Sequence, residues 1–168
     1  MISNTNGSTY VPPEYPSPII QTTLAFIQAY NEWDINKISA VYDDSLAHYL
    51  LPKSLGRPVV NKQEYLNNFE NAVMPLFKRF HITVHEIAET VGDVVTIHAS
   101  CLGESIFGAP YVNEYMVFLH FVPPKEGGDG LPKISMVKEF VDSSVMNKFF
   151  PEERAKLSAA MAAQKVGE

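Results

Sequence analysis

From residue 18 the apolar positions Ile20, Leu24 and Ile27, flanked by Ile19, Phe26 and Tyr30, recur at helical spacing, which predicts a helix with one wide face to bury. Ser17-Pro18 supplies an N-cap and a proline at the first helical position, and Asn31-Glu32-Trp33 closes the element. Asp34 can cap a second, short helix with Ile35, Ile38, Val41 and Tyr42 on one side. The stretch AHYLLP then reads as a brief strand ended by Pro52. After the loop SLGRPVV, Asn61 with Glu64 three residues on predicts a capping box. The third helix it opens has apolar positions Tyr65, Phe69, Val73, Leu76 and Phe80, with Pro75 expected to kink or break it.

From residue 81 the period falls from about 3.6 to about 2, and four strand-like runs follow: HITVHEIAE, DVVTIHASCL, YVNEYMVFLHFV and KISMVKEFVDS. Val91-Gly92-Asp93 is short enough for a hairpin, and PPKEGGDGLP is a longer glycine-rich loop. Pro151, followed by two glutamates and an alanine-rich stretch, predicts a last helix beginning there. Helices first and a meandering antiparallel sheet afterwards is an α+β pattern, with the helices segregated to one face. The chain divides into a flexible arm over 1–17, one domain over 18–150 and a C-terminal helix or tail over 151–168.

The alternation also assigns faces. Val95, Ile97, Ala99 and Cys101 should look toward the helices, with Thr96, His98 and Ser100 looking away; Ile82 and Val84 agree, and leave His81, Thr83 and His85 outside. The third run is apolar on both sides, with Tyr115, Val117, Leu119 and Phe121 on one and Met116, Phe118 and His120 on the other. A single helical layer covers one face only. The outer set, with Met136 and Phe140, therefore predicts either a partner sheet in a homodimer or cover by the C-terminal helix.

Composition narrows the function classes. With 168 residues, 46% hydrophobic and 11% aromatic, the chain has room for one domain and is too apolar to be disordered. A net charge of -6 argues against a nucleic acid or an anionic membrane as partner. The single cysteine, Cys101, excludes an internal disulfide and a thiolate metal cluster, and with no apparent activating partner it reads as a small core residue. Residues 1–17 lack the cationic start and apolar stretch of an export signal, so a cytoplasmic location is expected and Asn6-Gly7-Ser8 is read as a chance glycosylation match. No glycine-rich dinucleotide fingerprint, phosphate loop or dense metal-ligand motif is present, so neither cofactor nor metal is expected.

The sharpest anomaly is in the last strand, where Val137, Glu139 and Val141 share the inner face. Burial disfavours a carboxylate's charged form, and a carboxyl group in an apolar cavity is a general acid or base candidate. The competing reading is a structural glutamate paired with a core Tyr, His or Arg. His48, in a strand among apolar residues, is either a hydrogen-bonded core histidine or a general acid or base. Tyr30 and Trp33, at the end of the first helix, fit core packing or substrate contact; Arg57 fits a loop ion pair or substrate contact. Asp142 fits a cap on the segment at Ser143 or a position at a pocket mouth.

The order of elements, with LLPKSLGRP after the second helix, FHITVHEI after the third, NEYM in the third strand and EFVDS closing the last, resembles the SnoaL-like branch of the NTF2-like superfamily, in particular its small fungal proteins. The resemblance covers about residues 18–150. It implies a cone formed by a strongly curved sheet around three helices, a deep apolar pocket at the wide end, and homodimers packed through their sheets. It also implies reactive groups on the strand after the second helix and on the inner face of the later strands. The limonene-epoxide hydrolase branch places a pocket Asn where His48 stands, judged from the shared Gly56-Arg57, and its last-strand acid falls on Glu139. The Arg and second Asp of that hydrolase fall near Ala99 and Cys101, which speaks against its epoxide-opening mechanism. Asn113 and Tyr115 face inward if that register holds, and can then hold a carbonyl or enolate oxygen; a one-residue slip sends Glu114 inward instead.

Together these readings predict a cofactor-independent enzyme of secondary metabolism acting on a bulky apolar polyketide or terpenoid. Glu139 and His48 would drive isomerisation, cyclisation or dehydration, with Tyr30, Trp33, Arg57, Asn113, Tyr115 and Asp142 around the substrate. The alternative is a non-catalytic protein of the same fold, either a carrier of an apolar metabolite or a protein-interaction module. An ionisable pair in the pocket favours the first.

Overall fold

The computed structural model describes residues 9–124 and 130–166. The Asn6-Gly7-Ser8 match and much of the glycine-rich loop lie outside the described residues. Helix α1 (Pro18–Asn31) begins as expected, with the Ser17 hydroxyl accepting from the Ile20 N–H. At its far end Trp33 adopts a left-handed conformation (φ 56°), which a bulky residue tolerates when packing holds it there. Trp33 is held among the rings of Phe69, Phe77 and Phe80. Asp34 caps α2 (Ile35–Val41), accepting from the Asn36 and Lys37 N–H groups.

Strand β1 (Tyr42–Leu51) is longer than the brief strand expected and leaves α2 directly. The Asp43 carboxylate accepts from the Ser45 N–H and hydroxyl, and the pairing register shifts between Tyr42 and Ala47, so a bulge bends the strand near its start. The short strand β2 (Val60–Asn61) follows. Helix α3 (Lys62–Asn68) opens on the predicted capping box between Asn61 and Glu64. It stops earlier than the spacing suggested. A wide turn over Phe69–Val73 and a tight one over Met74–Leu76, containing Pro75, lead into β3 (Phe77–Thr90), so Phe80 belongs to a strand.

β4 (Val94–Ser105), β5 (Pro110–Val122) and β6 (Lys133–Val141) complete an antiparallel meander with β3. The sheet runs β2-β1-β6-β5-β4-β3. It departs from a purely antiparallel sheet at one joint, because β1 lies parallel to β6. Two residues protect the free edge at β3: the Asn31 side chain donates to the Ile82 carbonyl and accepts from its N–H, and Thr9 donates its backbone N–H to the Val84 carbonyl and its hydroxyl to the His85 carbonyl.

The predicted faces hold. Val95, Ile97 and Ala99 are buried against the helices with Ile20, Ile27, Ile38 and Leu119, and Cys101 is buried with Leu76, Phe77, Tyr111 and Phe149; each fully buried aliphatic chain is worth about 1.5–3 kcal/mol. Gly103, on the same face, is there for close packing: a Cβ would lie 2.9 Å from the Phe77 ring.

Helix α4 (Ser143–Val166) starts eight residues earlier than predicted, with Pro151 inside it. The Asp142 carboxylate accepts from the N–H and hydroxyl of Ser144 and so begins the helix before the proline is reached. Its Phe149 packs on Phe77 and Tyr111, at the inner side of the sheet. The C-terminal helix therefore does not cover the outer face, where Met116 and Phe140 remain 39% and 44% exposed.

Candidate active site

The curve of the sheet and the helices across it enclose a cavity of about 420 Å³. Its walls come from α1 (Phe26, Ile27, Tyr30), β1 (Tyr42, His48, Leu50), α3 and the turn after it (Tyr65, Asn68, Phe69, Val73), and the inner faces of β3 to β6. Met146, Asn147, Phe150, Pro151 and Arg154 of α4 close one side. The lining is mostly apolar and aromatic, with polar groups gathered at a few points, the usual character of a small-molecule site.

His48 and Glu139 are two ionisable groups that meet on the cavity wall. Parallel pairing sets His48 opposite Val137 and Leu50 opposite Glu139, so His48 and Glu139 are diagonal neighbours on one face. The His48 Nε2 lies 3.3 Å from the Glu139 Oε2, with the side chains 8% and 23% exposed. Tyr65 stacks on the imidazole, centroids 4.4 Å apart, and fixes the ring's plane.

Two groups of hydroxyls flank this pair. The Tyr30 hydroxyl shares hydrogen bonds with those of Tyr42, at 2.8 Å, and Tyr65. Across the cavity the Tyr111 and Tyr115 hydroxyls lie 3.0 Å apart, with the Cys101 Sγ 3.4 Å from the latter. Burial pushes the Tyr111 phenol up to about 12 and the Cys101 thiol up to about 11, and raises Tyr30, Tyr42, Tyr65 and Tyr115 as well. The charge of Glu139 adds to the rise at Tyr42, Tyr65, Cys101, Tyr111 and Tyr115. These phenols are consequently neutral at ordinary pH, able to donate a hydrogen bond to an oxygen that gains charge.

The expected site residues divide. Glu139, His48, Tyr30, Tyr115 and Arg57 line the cavity. Trp33 does not: its indole is packing for Phe69, Phe77 and Phe80. Asn113 faces inward in the predicted register, with Glu114 outside against His98, but its amide is engaged elsewhere. It donates to the Tyr111 hydroxyl and the Asp142 carbonyl and accepts from the Glu114 and Asp142 N–H groups, so it ties β5 to the start of α4. Asp142 is exposed and spent on capping α4.

Tyr42, Tyr65, Tyr111 and Arg154 are lining groups that sequence reasoning did not single out. Tyr111 had a signal, since it alternates with Asn113 and Tyr115. Tyr42 and Tyr65 were visible only as apolar helix positions, and Arg154 had no signal at all. Among the described residues no three His, Cys, Asp or Glu side chains converge as metal ligands, and no helix is long and apolar enough to cross a membrane.

No family model matches the chain. Among curated proteins it is 27% identical over 143 residues to "Monooxygenase ptaG" of Pestalotiopsis fici, covering 82% of this chain and 92% of that one. It is 25% identical over 139 residues to "Monooxygenase AgnL5" of Paecilomyces divaricatus, covering 82% of this chain and 81% of that one. Among solved structures, the BvnE pinacolase from Penicillium brevicompactum superposes with a TM-score of 0.68 at 22% identity, over 84% of this chain and 96% of that one. An NTF2-like protein of unknown function from Burkholderia pseudomallei gives 0.64 at 12% identity, over 80% and 98%. These superpositions show an NTF2-like fold.

Proposed function

We propose that this SnoaL-like chain is a cofactor-independent enzyme of secondary metabolism that works by proton transfer on a bulky apolar polyketide or terpenoid. The observation that carries the reading is the His48–Glu139 pair, 3.3 Å apart inside an apolar cavity large enough for such a molecule. The Glu139 carboxylate takes a proton from a carbon next to a carbonyl, and the electron pair moves onto the carbonyl oxygen. The Tyr115 hydroxyl, rather than the Asn113 amide, donates to that oxygen. His48 relays the proton. Returned to a different carbon it gives an isomer or drives ring closure; delivered to a hydroxyl group, it expels water.

The curated relatives named monooxygenases favour a second reading with the same first step. A CH2 carbon deprotonated by Glu139 can add dioxygen and take up a proton to form a hydroperoxide; removal of its remaining C–H then breaks the O–O bond and gives a ketone and water. A carrier role is the weaker alternative, because carrying needs no ionisable pair in the cavity.

The test compares wild type, Glu139→Gln and His48→Gln, matched for folding by circular dichroism, on a small-molecule extract of the source organism. Wild type should convert a compound that both variants convert at least ~100-fold more slowly. Unchanged product mass means isomerisation or cyclisation, loss of water means dehydration, and gain of oxygen means the second reading. Equal conversion by all three proteins makes the pair structural.

The outer face supports a homodimer within the same proposal. Leu102, Val112, Met116 and Phe140 form an exposed apolar strip on one side of the sheet. Met116→Glu with Phe140→Glu should shift the sedimenting species from dimer to monomer.

A further inference from the structure

Most of the cavity lining is uncharged, and the exceptions are ordered in space. The one carboxylate among the lining residues, Glu139, is mostly buried beside His48. The two guanidinium groups, Arg57 and Arg154, are both exposed, which places them at the mouth with Pro58, Asn68, Asn147 and Pro151. They come from separate elements: Arg57 follows the left-handed Gly56 in the loop before β2, and Arg154 is on α4. Among the described residues neither has a carboxylate partner, whereas the third arginine, Arg79, pairs with Glu104. A chain of net charge -6 has carboxylates to spare, so two arginines left without one at a single opening are not the by-product of a basic surface.

We propose that the substrate carries a carboxylate, which Arg57 and Arg154 hold at the cavity mouth while its apolar body lies inside against the tyrosine rings. This rests on the reading above that the cavity is the reaction site, and adds to it the charge of what enters. A guanidinium presents a planar fork that matches a carboxylate, and two forks at one opening hold it from both sides. Arg154 is already oriented, its guanidinium 5.3 Å from the centre of the Phe150 ring. Partial burial, and then the neighbouring Arg57, lower its affinity for a proton, a like-charge cost that an anion between them removes. The carboxylate also sets the depth of entry. With the acid group fixed at the mouth, a rigid polycyclic body presents the same carbon to Glu139 at each encounter, which is how binding away from the chemistry supports it.

Anthracene-2-carboxylate and its methyl ester, titrated by fluorescence near neutral pH, test this without knowledge of the natural substrate. Wild type should bind the acid at least ~10-fold more tightly than the ester, a single charge-assisted contact being worth about that factor. Arg57→Gln and Arg154→Gln should each weaken the acid by ~10-fold and leave the ester within about 2-fold, which also shows that the cavity is intact; Arg154→Lys should recover part of the loss. Equal binding of acid and ester, no binding of the acid, or a preference that survives the double Arg57→Gln, Arg154→Gln variant overturns the proposal. Glu139→Gln separates the two layers. Preference for the acid together with undiminished turnover in Glu139→Gln keeps the arginine clamp and overturns the catalytic reading; lost turnover with equal binding of acid and ester does the reverse.

Discussion

Among the described residues two histidine–glutamate pairs stand on opposite faces of the same sheet. On the outer face His98 Nε2 lies 2.6 Å from Glu114 Oε1, with the side chains 34% and 69% exposed. On the inner face His48 and Glu139 are farther apart, at 3.3 Å, but 8% and 23% exposed. The shorter contact is the less consequential. Water screens the outer pair, and an exposed pair of this kind contributes about 0–1 kcal/mol. The inner pair sits in a lower dielectric, where its charge reaches five surrounding tyrosine and cysteine side chains. Enclosure, more than the distance between two groups, is what separates the proposed site from the surface contact.

The largest expected effect breaks that comparison outright. Glu139→Gln should lower kcat at least ~100-fold, while Glu114→Gln changes it less than about 2-fold, measured on whichever compound wild type converts. If the outer variant costs as much, enclosure is not the deciding quantity. Second, the inner pair should act as a unit. The double variant His48→Gln, Glu139→Gln should be no slower than about 10-fold below the worse single variant, whereas independent contributions would multiply.

Third, the faces should differ in their tolerance of size. Gly103→Ala drives a methyl group toward the Phe77 ring and should cost roughly 1–3 kcal/mol in denaturant unfolding, whereas Leu102→Ser, next along the strand and facing outward, should leave monomer stability within about 0.5 kcal/mol. The smallest effect is chemical. With its thiol pushed up to about 11 by burial, Cys101 is protonated at ordinary pH. Iodoacetamide should leave it unmodified in the native protein and label it once the chain unfolds, as followed by intact mass.

Local signals carried most of the fold. The caps at Ser17, Asp34 and Asn61 and the period-2 runs after residue 81 each rest on contacts within a few residues, and each appears in the structure. The boundaries that moved did so where two local signals competed. Asp142 starts α4 ahead of Pro151, and Pro75 ends the third helical stretch ahead of Phe80. In the site, alternation alone placed Glu139 on the inner face, while the register that turns Asn113 and Tyr115 inward came from the family resemblance. Neither showed that the Asn113 amide is taken up by backbone groups near Asp142, because those partners come from another strand.

The sequence by itself determined the types of most elements, the inward faces of β3, β4 and β6 and the misplaced carboxylate at Glu139, since periodicity and capping are properties of neighbouring residues. Only the tertiary structure decided which distant groups meet. His48 reaches Glu139 because β1 joins β6 in parallel, and Tyr65 reaches His48 because α3 packs against β1. Arg154 reaches the mouth because α4 begins early and folds back over the cone. Those contacts depend on strand order and helix placement, which the packing of the whole core selects and no single segment encodes.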